Sequence, residues 1–417
     1  MNIYFSGIGG VGIGPLAEIA HDAGHNVIGS DNEESLMTKE LRKRGVNISN
    51  TQDGSFLMAN HHDRPIDWFI YTSALPEDHS ELVLAKKLGI HIAKRDELLN
   101  YIISEKELKL IAIAGTHGKT TTTGMMIWTF KKLDIPVSYS IGTTIKFGSS
   151  GKFDPNSEYL IYECDEFDRN FLNFSPFISL ITSLDYDHPD TYPTKKEYLE
   201  AFRQFATQSQ HIITWDNQHA ELYKDMPQVK IIDSKNSNDN LKLIGEHNRR
   251  NATLVQEALW EIGIETSTDE ILSKFPGTGR RFEKMVENIY SDYGHHPTEI
   301  EATLQLASEL SKHVVLVYQP HQNIRQHELQ HEYTDQFEKA EKIYWLPTYL
   351  ARENPNLPIL KPKDLIVNIT NNDKVIISDF NDELWNAIEN DRKKGKLIIF
   401  MGAGEVDNWL RKKLSIK

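Results

Sequence analysis

Residues 115–121 read Gly-Thr-His-Gly-Lys-Thr-Thr, a set suited to holding phosphate. Backbone N–H groups of a glycine-rich loop that opens a helix bind phosphate oxygens. Lys119 would reach the β- and γ-phosphates, and the Thr120 hydroxyl would face a magnesium ion. The spacing is shorter than the common GxxxxGK[ST] form. Its context is the right one, because the apolar run LKLIAIAG at 108–115 precedes it and a helical stretch with Met125, Met126, Trp128 and Phe130 follows. A phosphate loop also needs acidic partners. The strand Tyr159-Leu160-Ile161-Tyr162 ends in Glu163-Cys164-Asp165-Glu166, and the strand from Ile178 to Thr182 ends before Asp185-Tyr186-Asp187-His188. Two adjacent strands would bring Glu163 and His188 to the same sheet edge as Lys119, where open α/β sheets bind their ligands. Acidic strand ends can also be ordinary helix caps, as Asp165 or Asp185 could be, but taken as a set the site reading wins.

A second glycine cluster, Gly7-Ile8-Gly9-Gly10-Val11-Gly12, follows the strand IYF and opens a helix, and Asp31 ends the next strand. Glycine lets the backbone approach a diphosphate, which the helix N-terminus favours electrostatically. Alone, this cluster would point to a nicotinamide or flavin dinucleotide. A third region runs from the turn Pro276-Gly277-Thr278-Gly279 through Arg280-Arg281-Phe282 to Ser291-Asp292-Tyr293-Gly294-His295-His296-Pro297. The paired histidines lack further His or Cys at zinc-ligand spacing. One of them could act as an acid/base, orient a carboxylate or amine, or be structural.

The elements that must position these residues fall into three segments of alternating strands and helices, 1–105, 106–277 and 278–417, as expected for α/β layers with mostly parallel sheets. Sixty acidic against 46 basic residues give a net charge of −14, which argues against a dedicated nucleic-acid surface. No apolar run reaches the roughly 18 residues that would span a bilayer. The N-terminal MNIYFSGIGGVGIG has no basic region, so no signal peptide is expected. Cys164 is the single cysteine, which rules out an intrachain disulfide and points to the cytoplasm.

The succession GIGGVG, GTHGKTTTT, ECDEFD, DHPDTY, GEHNRRNA, GTGRRF, DYGHHPTEI, YQPH and GAG spans Gly7 to Gly404 and resembles the Mur ligases of peptidoglycan synthesis, above all their alanine-adding branch. The resemblance implies an α/β chain of three domains: a Rossmann-like N-terminal domain for a UDP-sugar, a central P-loop ATPase-type domain and a Rossmann-like C-terminal domain. It implies that Gly9, Gly12, Asp31 and Ser73 hold the UDP end of UDP-N-acetylmuramate. ATP would lie on Gly115, Thr116, His117, Gly118, Lys119, Thr120 and Thr121, with Mg²⁺ on Thr120, Glu163 and His188. Asn248 and Asn251 would face the adenine, and Arg281 and Asp292 would complete the ATP site. Tyr293, His295 and Arg325 would position the amino acid. The implied reaction is carboxylate activation by ATP to an acyl phosphate, attack by the amine of L-alanine, and release of ADP and phosphate.

Phe202 stands where several Mur ligases carry a carbamylated lysine, in agreement with the alanine-adding branch. Tyr318-Gln319-Pro320-His321 favours that branch over the tripeptide-recycling ligases. This sequence departs from the branch at Cys164 (usually Ala), at Thr182-Ser183 (usually Thr-Asn) and at Gln322-Asn323-Ile324-Arg325, where Arg-Tyr-x-Arg is usual. L-alanine remains the expected acceptor, with L-serine and glycine as the alternatives that these departures leave open. A recycling ligase, a dinucleotide-dependent oxidoreductase and a non-catalytic nucleotide-binding regulator are the competing readings. The last is opposed by the presence together of Lys119, Glu163, His188, Arg281 and Asp292.

Overall fold

Runs such as Ile3–Phe5, Leu110–Ala114 and Val314–Tyr318 are apolar at every position and almost wholly shielded from solvent, the signature of strands covered on both faces. In the computed structural model, which describes residues 1–416 except 73, 74, 218, 236, 237, 239 and 352, these runs are central strands of three sheets. The first sheet is wholly parallel, in the order Asn47–Ser49, Asn26–Ser30, Asn2–Ser6, Trp68–Tyr71, His91–Ala93.

The second sheet runs Val229–Ile232, His211–Trp215, Ile178–Ile181, Lys109–Ala114, Tyr159–Glu163, Ser138–Ser140, Gly151–Lys152, with only the last pairing antiparallel. The strands that deliver Glu163 and the His188 segment are not neighbours. Each pairs with the phosphate-loop strand Lys109–Ala114, one on either side. That arrangement places the loop between the two acidic segments. The third sheet runs Glu283–Val286, Ile289–Asp292, Leu397–Met401, Val314–Tyr318, Lys342–Trp345, Val375–Ile377, and an antiparallel hairpin at one edge precedes the parallel strands.

The chain forms two compact units, Met1–Asn236 with Ala252–Phe275, and Ser237–Asn251 with Pro276–Lys417. The first contains two sheets and the second contains one. Among the described residues, no helix is long and apolar enough to cross a membrane.

Within the first unit, helix Gly14–Asp22 packs on the edge strand Gly151–Lys152. Gly151 has no room for a side chain, since a Cβ there would run into the Pro15 carbonyl. Its N–H donates to Glu18 Oε2 at 2.7 Å, and Arg44 pairs with Glu18 Oε1 at 3.0 Å. Glu18 is 1% exposed, and this burial outweighs Arg44 and pushes its pKa up to about 7; Asp22 and Glu40 add to the rise. A carboxyl whose folded pKa is raised contributes stability at low pH that is lost as pH rises through the folded value. Apparent stability therefore falls by about 3 kcal/mol between roughly pH 4.5 and pH 7 through this group. Glu18→Gln should flatten that slope in urea unfolding at pH 5 and pH 8; an unchanged slope would exclude Glu18 as its source.

Candidate active site

The phosphate loop leaves the buried strand Lys109–Ala114 at Gly115, whose φ of +124° suits glycine. A Cβ there would meet Thr182 Oγ1 and the Ser183 backbone. Gly118, at φ +85°, turns the chain into helix Lys119–Lys132, which includes Thr120 and Thr121. The loop is held from the neighbouring strand end. Thr116 Oγ1 donates to the Asp185 carbonyl at 2.7 Å and lies 2.7 Å from Tyr198 Oη, while Asp185 N–H returns a bond to Thr116 Oγ1 at 2.9 Å. His117 N–H donates to Ser183 Oγ at 2.8 Å, and its Nε2 lies 3.1 Å from Asp185 Oδ2. Ser183, a departure from the family pattern, thus serves as a brace for the loop.

Lys119 folds across this loop. Its Nζ donates to the Gly115 carbonyl at 2.6 Å and to both Glu166 oxygens at 2.8 and 3.0 Å. Burial alone would depress the ammonium pKa, but Glu166 and Asp165 hold it above the usual lysine value, so Lys119 stays charged. Thr120 Oγ1 donates to Glu163 Oε1 at 2.5 Å, and Gly142 N–H donates to Glu163 Oε2 at 2.8 Å.

The expected metal ligands each have near oxygen neighbours. Thr120 and Glu163 lie together, whereas His188 gathers with Asp165 and Glu166, whose ligand atoms all lie within 4.8 Å of one another. Both sets are oxygen-rich, with one imidazole, and so fit a hard divalent cation beside a phosphate loop. Asp165 also accepts from Phe167 N–H at 3.1 Å, so it is a turn cap as well. Sequence reasoning passed over Asp165 and Glu166 as ligands, although both lie in the acidic motif that supplied Glu163.

At the first sheet, Asp31 Oδ2 accepts from Gly9 N–H at 2.7 Å, and Oδ1 accepts from Glu33 N–H at 3.0 Å. A Cβ on Gly9 would crowd Thr38, Ser35 and Asp31 within 2.9 Å, and one on Gly12 would lie 2.6 Å from Arg95 Nη1. Arg95 was missed because a lone arginine opening a helix carries no pattern. Its guanidinium also lies 3.5 Å from Asp165, and neighbouring Lys94 pairs with Asp168 at 2.8 Å. The N-terminal end of helix Arg95–Glu105 therefore connects the glycine loop with the acidic motif. Ser73 lies outside the described residues.

In the second unit, Asn248 and Asn251 lie in the opening turns of helix Glu246–Glu261; Asn248 Nδ2 donates to the Ile244 carbonyl at 2.9 Å, and Asn251 is buried. Asp292 ends its strand and accepts from Phe282 N–H at 2.8 Å and Gly294 N–H at 2.7 Å; burial pushes its pKa up. The Arg281 guanidinium lies 4.8 Å from the Tyr293 ring centre. Tyr293 and His295 are in edge contact, and Arg325 Nη1 donates to His295 Nε2. Arg325 lies thirty positions beyond His295 in the sequence, yet the two meet where the parallel strands of the third sheet end.

Three family profiles match the chain: "Mur ligase family, catalytic domain" over residues 2–107, "Mur ligase middle domain" over 113–232 and "Mur ligase, glutamate ligase domain" over 280–404. The UDP-N-acetylmuramate–L-alanine ligase of Caldicellulosiruptor bescii is 32% identical, with 98% of each chain covered. This chain belongs to the Mur ligase family. The corresponding ligase of Campylobacter jejuni subsp. jejuni is also 32% identical, over 99% of both chains. Among solved structures, the UDP-N-acetylmuramate-alanine ligase of Thermotoga maritima superposes with a TM-score of 0.75 at 23% identity over the whole of both chains. A murein peptide ligase from Psychrobacter arcticus gives 0.67 at 22% identity, covering 100% of this chain and 98% of its own. These structural likenesses establish a shared three-domain Mur ligase fold.

Proposed function

We propose that this Mur ligase joins L-alanine to the carboxylate of UDP-N-acetylmuramate in the cytoplasm, converting ATP to ADP and phosphate. The observation that carries this reading is the near-full-length identity to ligases of that name. The site chemistry supports the reaction class, because a charged lysine on a phosphate loop is flanked by two groups of oxygen ligands.

In this reading the γ-phosphoryl group passes to the muramoyl carboxylate, the amine attacks the resulting acyl carbon, and phosphate leaves. Lys119 and the amides of the loop from Gly115 to Thr121 stabilise charge on the transferring group. Thr120 and Glu163, with Asp165, Glu166 and His188 as further donors, would hold Mg²⁺, which screens phosphate charge when bound. Gly9, Gly12 and Asp31 hold the UDP end, and Ser73 is assigned with them on resemblance alone. Asn248 and Asn251 are assigned to the adenine, Arg281 and Asp292 to completing the ATP site, and Tyr293, His295 and Arg325 to the amino acid.

The test is ADP release in the presence of UDP-N-acetylmuramate with the acceptor varied among L-alanine, L-serine, glycine and L-Ala-γ-D-Glu-diaminopimelate. The expected result is release that depends on the acceptor and is fastest with L-alanine. Preference for the tripeptide would transfer the chain to the recycling branch, and release indifferent to every acceptor would remove the ligase reading.

A further inference from the structure

Arg325 is the third residue of the short helix Asn323–Leu329, so the start of that helix decides where its guanidinium points. That start is irregular. Gln322 has a φ of +60°, a left-handed conformation that a non-glycine residue keeps only when its surroundings impose it. No side chain of the helix's own N-cap residue bonds to its first amides. A helix leaves its first N–H groups without intrahelical partners, and a carboxylate is a strong partner for them.

Those groups are met from a distant part of the chain. Glu353 Oε1 accepts from Asn323 N–H at 2.9 Å, and Oε2 accepts from Ile324 N–H at 3.2 Å. The same Oε1 accepts from Ala351 N–H at 3.0 Å, which fixes the carboxylate on its own loop. The surrounding segment completes the grip. Gln322 N–H donates to the Tyr349 carbonyl at 2.8 Å, and Asn323 bonds through its side chain to the Pro358 carbonyl at 3.1 Å and Leu360 N–H at 2.9 Å. His321 stacks on Tyr349 with ring centres 5.4 Å apart.

We propose that Glu353 is a positioning residue for the amino-acid acceptor: by capping the first two amides of helix Asn323–Leu329 it holds Arg325 against His295. This inference rests on the reading that Arg325 and His295 hold the acceptor. Glu353 acts here through the helix amides that it caps and not on the acceptor directly. Its loss frees the helix start to relax from the left-handed Gln322 conformation, which swings Arg325 away from His295 and weakens binding of the acceptor carboxylate.

The test compares Glu353→Ala, Glu353→Gln and Arg325→Ala in the full chain, with L-alanine and with hydroxylamine as nucleophiles. Hydroxylamine attacks an acyl phosphate through nitrogen, expels phosphate and yields a hydroxamate, and it has no carboxylate to be positioned. Glu353→Ala should raise KM for L-alanine about 10-fold or more, as for a lost hydrogen-bond set to a charged group. KM for ATP and for UDP-N-acetylmuramate should stay within about 2-fold, and turnover with saturating hydroxylamine should stay near wild type. Glu353→Gln, which keeps one acceptor oxygen, should fall between the two. If Arg325→Ala raises KM for L-alanine while neither Glu353 variant does, the inference is overturned and the site reading stands. If Arg325→Ala leaves that KM unchanged, the site reading itself is wrong. Equal losses with L-alanine and hydroxylamine in both Glu353 variants would reduce Glu353 to a folding role and overturn the proposal.

Discussion

Lys119→Ala should lower turnover by about 10³-fold or more, the scale on which charge stabilisation at a transferring phosphoryl group is felt. The reason lies in how firmly the ammonium is held. It is gripped by the Gly115 carbonyl on one side and by Glu166 on the other, so its position is fixed before any substrate arrives. Lys119→Arg should not restore activity. A planar guanidinium cannot reproduce a point charge that reaches a carbonyl and a carboxylate together. The substitution also has a stability cost that must be separated from catalysis. Glu166 is fully buried, and removing one partner of a buried pair costs about 3–5 kcal/mol because the other is left uncompensated. The double variant Lys119→Met with Glu166→Gln should recover most of the thermal stability and stay far below the turnover of Glu166→Gln alone. Activity returning with stability would show that Lys119 matters only to folding.

The second large effect concerns Glu163. Its two oxygens are divided between the Thr120 hydroxyl and the Gly142 amide, so the carboxylate joins the phosphate-loop helix to the turn after strand Ser138–Ser140. Glu163→Gln puts an amide NH₂ against one of two donors and removes a negative charge where a divalent cation is proposed to bind. Turnover should fall about 10²- to 10³-fold, and the Mg²⁺ concentration for half-maximal ADP release should rise at least about 10-fold. His188→Ala should shift the Mg²⁺ midpoint less, because Asp165 and Glu166 remain beside the vacated position, whereas Glu163 is the carboxylate bonded to Thr120. A Glu163→Gln enzyme with the wild-type Mg²⁺ midpoint would remove Glu163 from the metal assignment. A larger midpoint shift in His188→Ala than in Glu163→Gln would reverse the ranking.

Much of the site was legible because its parts carry patterns. A strand, a glycine-rich turn and a helix in order mark Gly115–Thr120, and an apolar strand ending in acids marks Glu163. The pattern did not reveal that the phosphate-loop strand lies between the two acid-bearing strands, since sheet order is set by crossover connections and not by local periodicity. The expected metal set of Thr120, Glu163 and His188 has further neighbours that the motifs did not single out, since His188 gathers with Asp165 and Glu166. Asp165 and Glu166 were within view but indistinguishable from capping residues until their neighbours were known. Arg95 and Glu353 were beyond reach. Each acts on a segment far away in the chain, and Glu353 does so from an irregular loop with no repeat to read. Ser183 stood out in the sequence only as a departure from the usual Asn, and its hydroxyl accepts the His117 amide and braces the loop.

The seam between helix Gly14–Asp22 and strand Gly151–Lys152 bears on how Mur ligases can be recombined. A chimera that takes residues 1–107 from a relative needs an acceptor oxygen at position 18 for a backbone amide that only an unsubstituted Cα leaves reachable. Two residues on different domains, Glu18 and Gly151, therefore act as a matched key and ward. Exchange of the first domain alone is expected to break that match unless the incoming segment carries it too, so in this chain the two segments are best exchanged together.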